Sequence, residues 1–199
     1  MLDPPRLRAL VLVIKVWTKR RKLNSPYTGT LSSYGYALLV LFFLIHVKKP
    51  AVLPNLQRIP AGRELSQHDI MLEGHSIYFY DDMEALRRQW HSDNTDSVGE
   101  LLLDFFRYFS RDFNYTKDAI AMRTEGGLVT KESRRWTHDL LRIDAPFQAG
   151  YNVARTVTKD GLYTIRGEFM RASRLLANRT IRVPQLLHEL CMEREDGLT

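Results

Sequence analysis

The stretch Ser97-Val98-Gly99-Glu100-Leu101-Leu102-Leu103-Asp104-Phe105-Phe106-Arg107-Tyr108-Phe109 decides the fold class. A serine followed three positions later by glutamate is a capping-box pattern, in which each side chain serves a backbone N–H of the other residue. Val98, Leu101, Leu102, Phe105, Phe106 and Phe109 then recur at the spacing of one helix face. The segment therefore predicts an amphipathic α-helix that buries one side.

Working outward, the same period returns at both ends of the chain. Leu7, Leu10, Val11, Ile14 and Trp17 or Thr18 predict a first helix over about Pro5 to Lys22, with Arg8, Lys15, Lys19 and Lys22 on its other face. Pro4 and Pro5 suit its start, and Asn24-Ser25-Pro26 ends it, because the residue before proline avoids helical geometry. A second helix is expected from near Thr30 to His46, capped by Thr30 or Ser32. Leu162, Ile165, Phe169, Ala172 and Leu176 mark a last long helix, and a short one follows Pro184. Between them, residues 58–94 read mostly as connector, with strand-like or extended character at Gly74 to Asp82. Gly126-Gly127 joins two short segments, Ala119 to Arg123 and Leu128 to Thr130, that can pair as a hairpin. Leu140 to Val157 reads as loop around Pro146. The class is mainly α.

Composition limits the function. The 199 residues can bury a real core, and the formal charge of +6 favours a polyanionic partner without defining one. Cys191 is the single cysteine, which excludes an internal disulfide and a multi-cysteine zinc site and fits a reducing compartment. Tyr36 to Val47 is the most apolar stretch and falls short of the ~20 residues of a membrane-spanning helix. The expectation is a soluble, cytoplasmic protein with no membrane partner, nuclear residence being also compatible.

Three constellations carry chemistry. Lys15 and Lys19, at i and i+4, project from one helix face, where they either converge on one polyphosphate or lie in solvent. Gly29-Thr30-Leu31-Ser32-Ser33-Tyr34-Gly35-Tyr36 places hydroxyls and free amides at a helix N-terminus, beside tyrosines that either stack on a base or join the core. Asp144-Ala145-Pro146-Phe147-Gln148-Ala149-Gly150-Tyr151-Asn152-Val153-Ala154-Arg155 is a loop rich in donors and acceptors that ends in arginine. Such a loop can read a base edge, or serve as an ordinary turn.

Together, and in this order, these segments resemble the central domain of cytoplasmic poly(A) polymerases and terminal uridylyltransferases. The resemblance rests on Lys-x-Trp-x-Lys-Arg (15–20), Ser-Pro-Tyr-x-Gly-Thr-Leu-Ser-Ser-Tyr-Gly-Tyr (25–36), Leu-Ile-His-Val (44–47) and Pro-Asn-Leu-Gln (54–57). It continues through Ser-Val-Gly-Glu-Leu-Leu (97–102), Asp-Phe-Phe-Arg-Tyr (104–108), Gly-Gly-Leu-Val-Thr-Lys-Glu (126–132), Asn152 to Arg155, and Gly-Leu-Tyr-x-Ile-Arg-Gly-Glu-Phe-x-Arg-Ala (161–172). It implies a helical poly(A)-polymerase/oligoadenylate-synthetase substrate-binding domain over 5–179, with a small hairpin or irregular insertion. Within it would lie a poly(A)-polymerase-associated region at 97–155, a nucleotide-recognition loop at 144–155, and then a tail at 180–199.

The resemblance further implies that Lys15 and Lys19 hold the triphosphate of ATP or UTP, that Ser33 donates to a phosphate oxygen and that Tyr34 stacks on the base. Gln148 and Tyr151 fall in the recognition loop. Tyr151 stands where a uridylyltransferase of this type has a uracil-selecting histidine, and Ala145 and Gln148 replace residues that are often acidic, so strict UTP preference does not carry over. The family transfers a nucleotide to an RNA 3′ end with two Mg²⁺ (or Mn²⁺) ions held by three carboxylates. Its Gly-Ser turn and Asp-x-Asp pair have no counterpart here: Asp81-Asp82 and Asp93-Asn94-Thr95-Asp96 read as loop capping. No catalytic or metal-binding residue is therefore expected in this chain, which alone should be inactive. The carboxylates would come from an amino-terminal catalytic domain or an equivalent subunit, covering apolar area exposed here. The alternative is a non-catalytic nucleotide- and RNA-binding module acting with a separate catalytic subunit.

Overall fold

The computed structural model describes residues 4–196. Helix α1 (Pro4–Arg20) buries Leu10, Ile14 and Trp17 and leaves Arg8, Lys15 and Lys19 exposed, as its periodicity requires. Helix α2 (Ser33–Phe42) continues into a π-helical turn (Phe43–Val47), and most of its side chains are buried. The connector holds α3 (Gln67–Ile70), a hairpin of β1 (Met71–Leu72) and β2 (His75–Ser76), and α4 (Met83–Gln89). The strand-like run at 74–82 therefore pairs only at its start. Its remaining residues belong to no strand.

Helix α5 (Val98–Arg107) starts on the expected capping box: Glu100 N–H donates to Ser97 Oγ at 3.2 Å, and Ser97 N–H to Glu100 Oε2 at 2.7 Å. A second π-helical turn, Tyr108–Asp112, keeps Phe109 on the buried face. Strands β3 (Asp118–Ile120) and β4 (Leu128–Thr130) pair antiparallel with Ala119 opposite Val129; β3 starts one residue before the expected segment and ends at Ile120 rather than Arg123, and α6 (Lys131–Arg134) follows. Strands β5 (Asp144–Ala145) and β6 (Gln148–Asn152) form a hairpin where the sequence suggested loop. The hairpin has a register shift and β6 is largely exposed, so it lacks the alternation that marks a half-buried strand. Helices α7 (Lys159–Ala177) and α8 (Val183–Leu190) complete the chain.

Helices α1, α5 and α7 pack around an aromatic core. Trp17 lies between Phe106, at 4.8 Å, and Phe169, at 5.4 Å, while Phe105 meets Phe43, Phe106, Phe109 and Phe169 within 6.0 Å. Outside the core, Arg21 and Glu168 form a buried two-point ion pair at 2.8 and 2.9 Å that ties the end of α1 to α7. Arg21 also donates to Met192 O at 2.9 Å. Arg194 holds the carbonyls of Arg20 and Arg21, so the segment after α8 lies against the end of α1. The expected tail at 180–199 is thus docked as far as Asp196; residues 197–199 lie outside the described residues.

One close approach sets the entry to α2. Gly29 adopts φ +92°, and its carbonyl accepts the Thr158 N–H at 3.0 Å. A Cβ on Gly161 would stand 1.8 Å from that same oxygen, so only glycine lets α7 start against this turn. Among the described residues no helix is long and apolar enough to cross a membrane.

Candidate nucleotide-binding site

Ser32, rather than Thr30, caps α2: its hydroxyl accepts the Gly35 N–H at 3.1 Å. Thr30 is buried and closes the preceding turn instead, accepting the Ser25 N–H at 2.7 Å. The two tyrosines divide their roles. Tyr36 is core, its hydroxyl donating to Leu23 O at 2.6 Å, whereas Tyr34 is 52% exposed. Ser33 accepts the Asn24 side-chain amide at 2.7 Å. With that lone pair engaged, its own O–H is left to donate outward beside the free amides of the helix start.

Facing this helix start is the β5–β6 hairpin, and side-chain hydrogen bonds stiffen it. Asn152 Oδ1 accepts the N–H groups of Ile143 and Ala154 at 3.1 and 2.9 Å, while its amide donates to Leu141 O at 2.9 Å. Asp144 accepts Arg142 at 2.8 Å and the Gly150 N–H at 3.0 Å, and Arg142 itself stacks 3.7 Å from the Trp136 ring. Gly150 has φ +86°, which accommodates the irregularity in β6 between its pairings at Gln148 and Asn152, immediately before Tyr151. Gln57 reaches from the connector to donate to Pro146 O at 2.7 Å.

Between the helix and the hairpin lies an open cleft of about 400 Å³. Tyr34 forms one wall, and Phe147, Gln148, Tyr151 and Arg155 the other. The Arg155 guanidinium sits 4.7 Å over the Tyr151 ring, a cation–π contact that fixes the phenol at the cleft edge. Two aromatic faces with amide and phenol donors nearby suit a planar heterocycle.

The cationic part is separate but adjacent. Lys19 lines a groove of about 600 Å³ with Lys22, Asn24, Ser25, Thr28, Arg194 and Asp196. Ser25 on this groove and Pro26 on the cleft are consecutive, and the Asn24–Ser33 bond spans the same boundary. Lys15 is exposed one turn earlier on α1 and lines neither cavity. The structure thus brings Tyr34, Gln148 and Tyr151 together, and sets Lys19 and the partner of Ser33 beside them. Arg155, Phe147, Lys22 and Asn24 are additions that the sequence left unassigned. Arg155 ends the loop that was singled out, whereas Phe147 owes its place to Phe79, 6.1 Å away in the connector, a pairing that no local pattern signals.

One carboxylate in each of the two acidic runs has structural work. Asp82 accepts the Ala85 N–H at the start of α4, and Asp96 pairs with Lys48 at 2.7 Å, which holds it below the usual carboxylate range. Among the described residues no three His, Cys, Asp or Glu side chains gather to hold a metal ion. The described residues do not fit a two-metal centre. Beyond Tyr34, the cleft continues into an apolar groove of about 460 Å³ along Leu7, Leu38, Leu41, Phe79 and Phe147, and Leu12 on α1 is 60% exposed.

A mainly α body whose second helix opens against a hairpin-borne cleft agrees with the helical substrate-binding domain that the resemblance implied. Residues 97–150 match the model of the Cid1 family poly A polymerase. The terminal uridylyltransferase cid1 of Schizosaccharomyces pombe is 41% identical over 194 residues, 90% of this chain and 46% of the relative. The poly(A) RNA polymerase cid13 of the same organism is 35% identical, over 89% of this chain and 30% of the relative. The structure of Cid1 with the UTP analog UMPNPP superposes with a TM-score of 0.86 at 43% identity, covering 95% of this chain and 56% of that one. Other solved Cid1 structures hold MgGTP or the short product ApU. The chain belongs to this family of terminal uridylyltransferases and poly(A) RNA polymerases. It spans about half the length of the curated relative cid1.

Proposed function

We propose that this chain is the nucleotide- and RNA-binding part of a terminal RNA nucleotidyltransferase that adds AMP or UMP to RNA 3′ ends. The observation that carries this reading is the cleft that sets Tyr34 opposite Gln148, Tyr151 and Arg155, next to the groove of Lys19. In it the base of ATP or UTP stacks on Tyr34, and its edge meets Gln148 and Tyr151. Ser33 donates to the polyphosphate, whose charge Lys15 and Lys19 balance. Tyr151 offers a phenol where a uracil-selecting histidine would stand, so the balance leans toward ATP. A single half-buried thiol, Cys191, and the basic surface are in keeping with a cytoplasmic RNA-modifying protein.

The carboxylates and their Mg²⁺ or Mn²⁺ ions are assigned to another domain or subunit. When bound there, the metals activate the attacking 3′ oxygen and stabilise the leaving pyrophosphate. Support comes from Asp82 and Asp96, which are engaged within the fold, and from the open apolar groove, which such a partner would cover. The test is primer extension. With Mg²⁺, an RNA primer and each NTP, the purified chain should leave primer length unchanged. The same chain joined to a domain that supplies the carboxylates should add adenylate or uridylate. Extension by the chain alone would contradict the division of labour, and no extension by the joined protein would contradict the function.

A further inference from the structure

The Lys19–Lys22 groove holds an ion pair that lies outside the phosphate contacts proposed above. Lys22 adopts φ +55°, so the backbone reverses immediately after α1. Its ammonium pairs with the Asp196 carboxylate at 2.8 Å, and Lys22 holds that carboxyl below its usual range. Asp196 is brought there by Arg194, whose N–H donates to Arg20 O at 3.0 Å, while its Nε and Nη2 reach Arg21 O and Lys22 O at 2.7 and 3.4 Å. These bonds satisfy the open carbonyls at the helix end and dock the segment in place. The groove therefore already contains an anion supplied by the chain itself, next to Lys19.

We propose that Lys22 is a polyphosphate-binding residue and that Asp196 is its built-in competitor, displaced when the phosphates of a nucleotide enter the groove. The assignment of a nucleotide rests on the function proposed above; the competition for phosphate does not. The strength of the pair fits a displaceable occupant, because the Asp196 side chain is 85% exposed. An exposed ion pair weakens a competing anion by up to about fivefold, and less as salt rises.

The experiment titrates the full chain at low ionic strength with inorganic tripolyphosphate, ATP and a short single-stranded oligoribonucleotide. Asp196→Asn should tighten tripolyphosphate and ATP by about two- to fivefold. Lys22→Asn, chosen because asparagine tolerates positive φ, should weaken both by a similar factor. Asp196→Asn added to Lys22→Asn should then change nothing. An unchanged tripolyphosphate affinity in Asp196→Asn overturns the proposal, as does a gain that persists without Lys22. A gain confined to the oligoribonucleotide overturns the nucleotide assignment and gives the groove to RNA phosphates. If tripolyphosphate responds as expected but ATP binds no tighter than tripolyphosphate and ignores Tyr34→Ala, the competition stands and the base cleft falls.

Discussion

Glu168→Ala is expected to lower the free energy of unfolding by about 3–5 kcal/mol, because it strands a buried guanidinium. Arg21 and Glu168 side chains are 10% and 11% exposed, and their two bonds are short and parallel. Arg171 lies 3.9 Å from the same carboxylate, so its loss also leaves two cations facing each other. The attraction is offset in the native chain by the cost of dehydrating both groups, so the pair as a whole contributes little net stability. The double change Arg21→Met with Glu168→Leu should accordingly recover most of the loss. Denaturant midpoints at constant m-value read both effects. A single-mutant loss below about 1 kcal/mol would mean the guanidinium finds water, and that α1 and α7 are not sealed at this point.

Phe105→Ala is the second large effect, at about 3–5 kcal/mol. Phe105 is fully buried and touches the rings of Phe43, Phe106, Phe109 and Phe169. These rings come from α2, α5 and α7 and their extensions, and no small movement of one helix refills the cavity. Phe105→Leu, which keeps much of the volume, should cost less than half as much. Equal losses for the two variants would show that edge-on ring contacts, and not filled volume, hold the core.

How much of this was legible in the sequence depends on how local the cause is. Helices α1, α5 and α7 announced themselves because cap and apolar stripe lie within one short window, as at Ser97, Glu100 and Leu101. The π turns after Phe42 and Arg107 did not, since one extra residue per turn reflects what the helix packs against. The β5–β6 hairpin was missed because it is held by Asn152, Asp144 and Gln57 through hydrogen bonds, with no buried alternating face to signal it. Tyr34, Gln148 and Tyr151 were singled out through the resemblance of whole segments, and the three line one cleft. Arg155 over Tyr151, Phe79 against Phe147, and Asp196 on Lys22 are side-chain meetings set by the fold, the last two between distant parts of the chain.

The site as a nucleotide cradle is tested most directly by titrating the purified chain with ATP and UTP, alongside Lys15→Ala/Lys19→Ala. Charge-assisted contacts to phosphate imply that the double substitution weakens binding by about tenfold or more, with the fold and the unfolding midpoint unchanged. Saturable binding of ATP or UTP that falls in this way is the expected result. Affinity that is the same with and without the two ammonium groups would contradict the phosphate assignment and, with it, the reading of this domain.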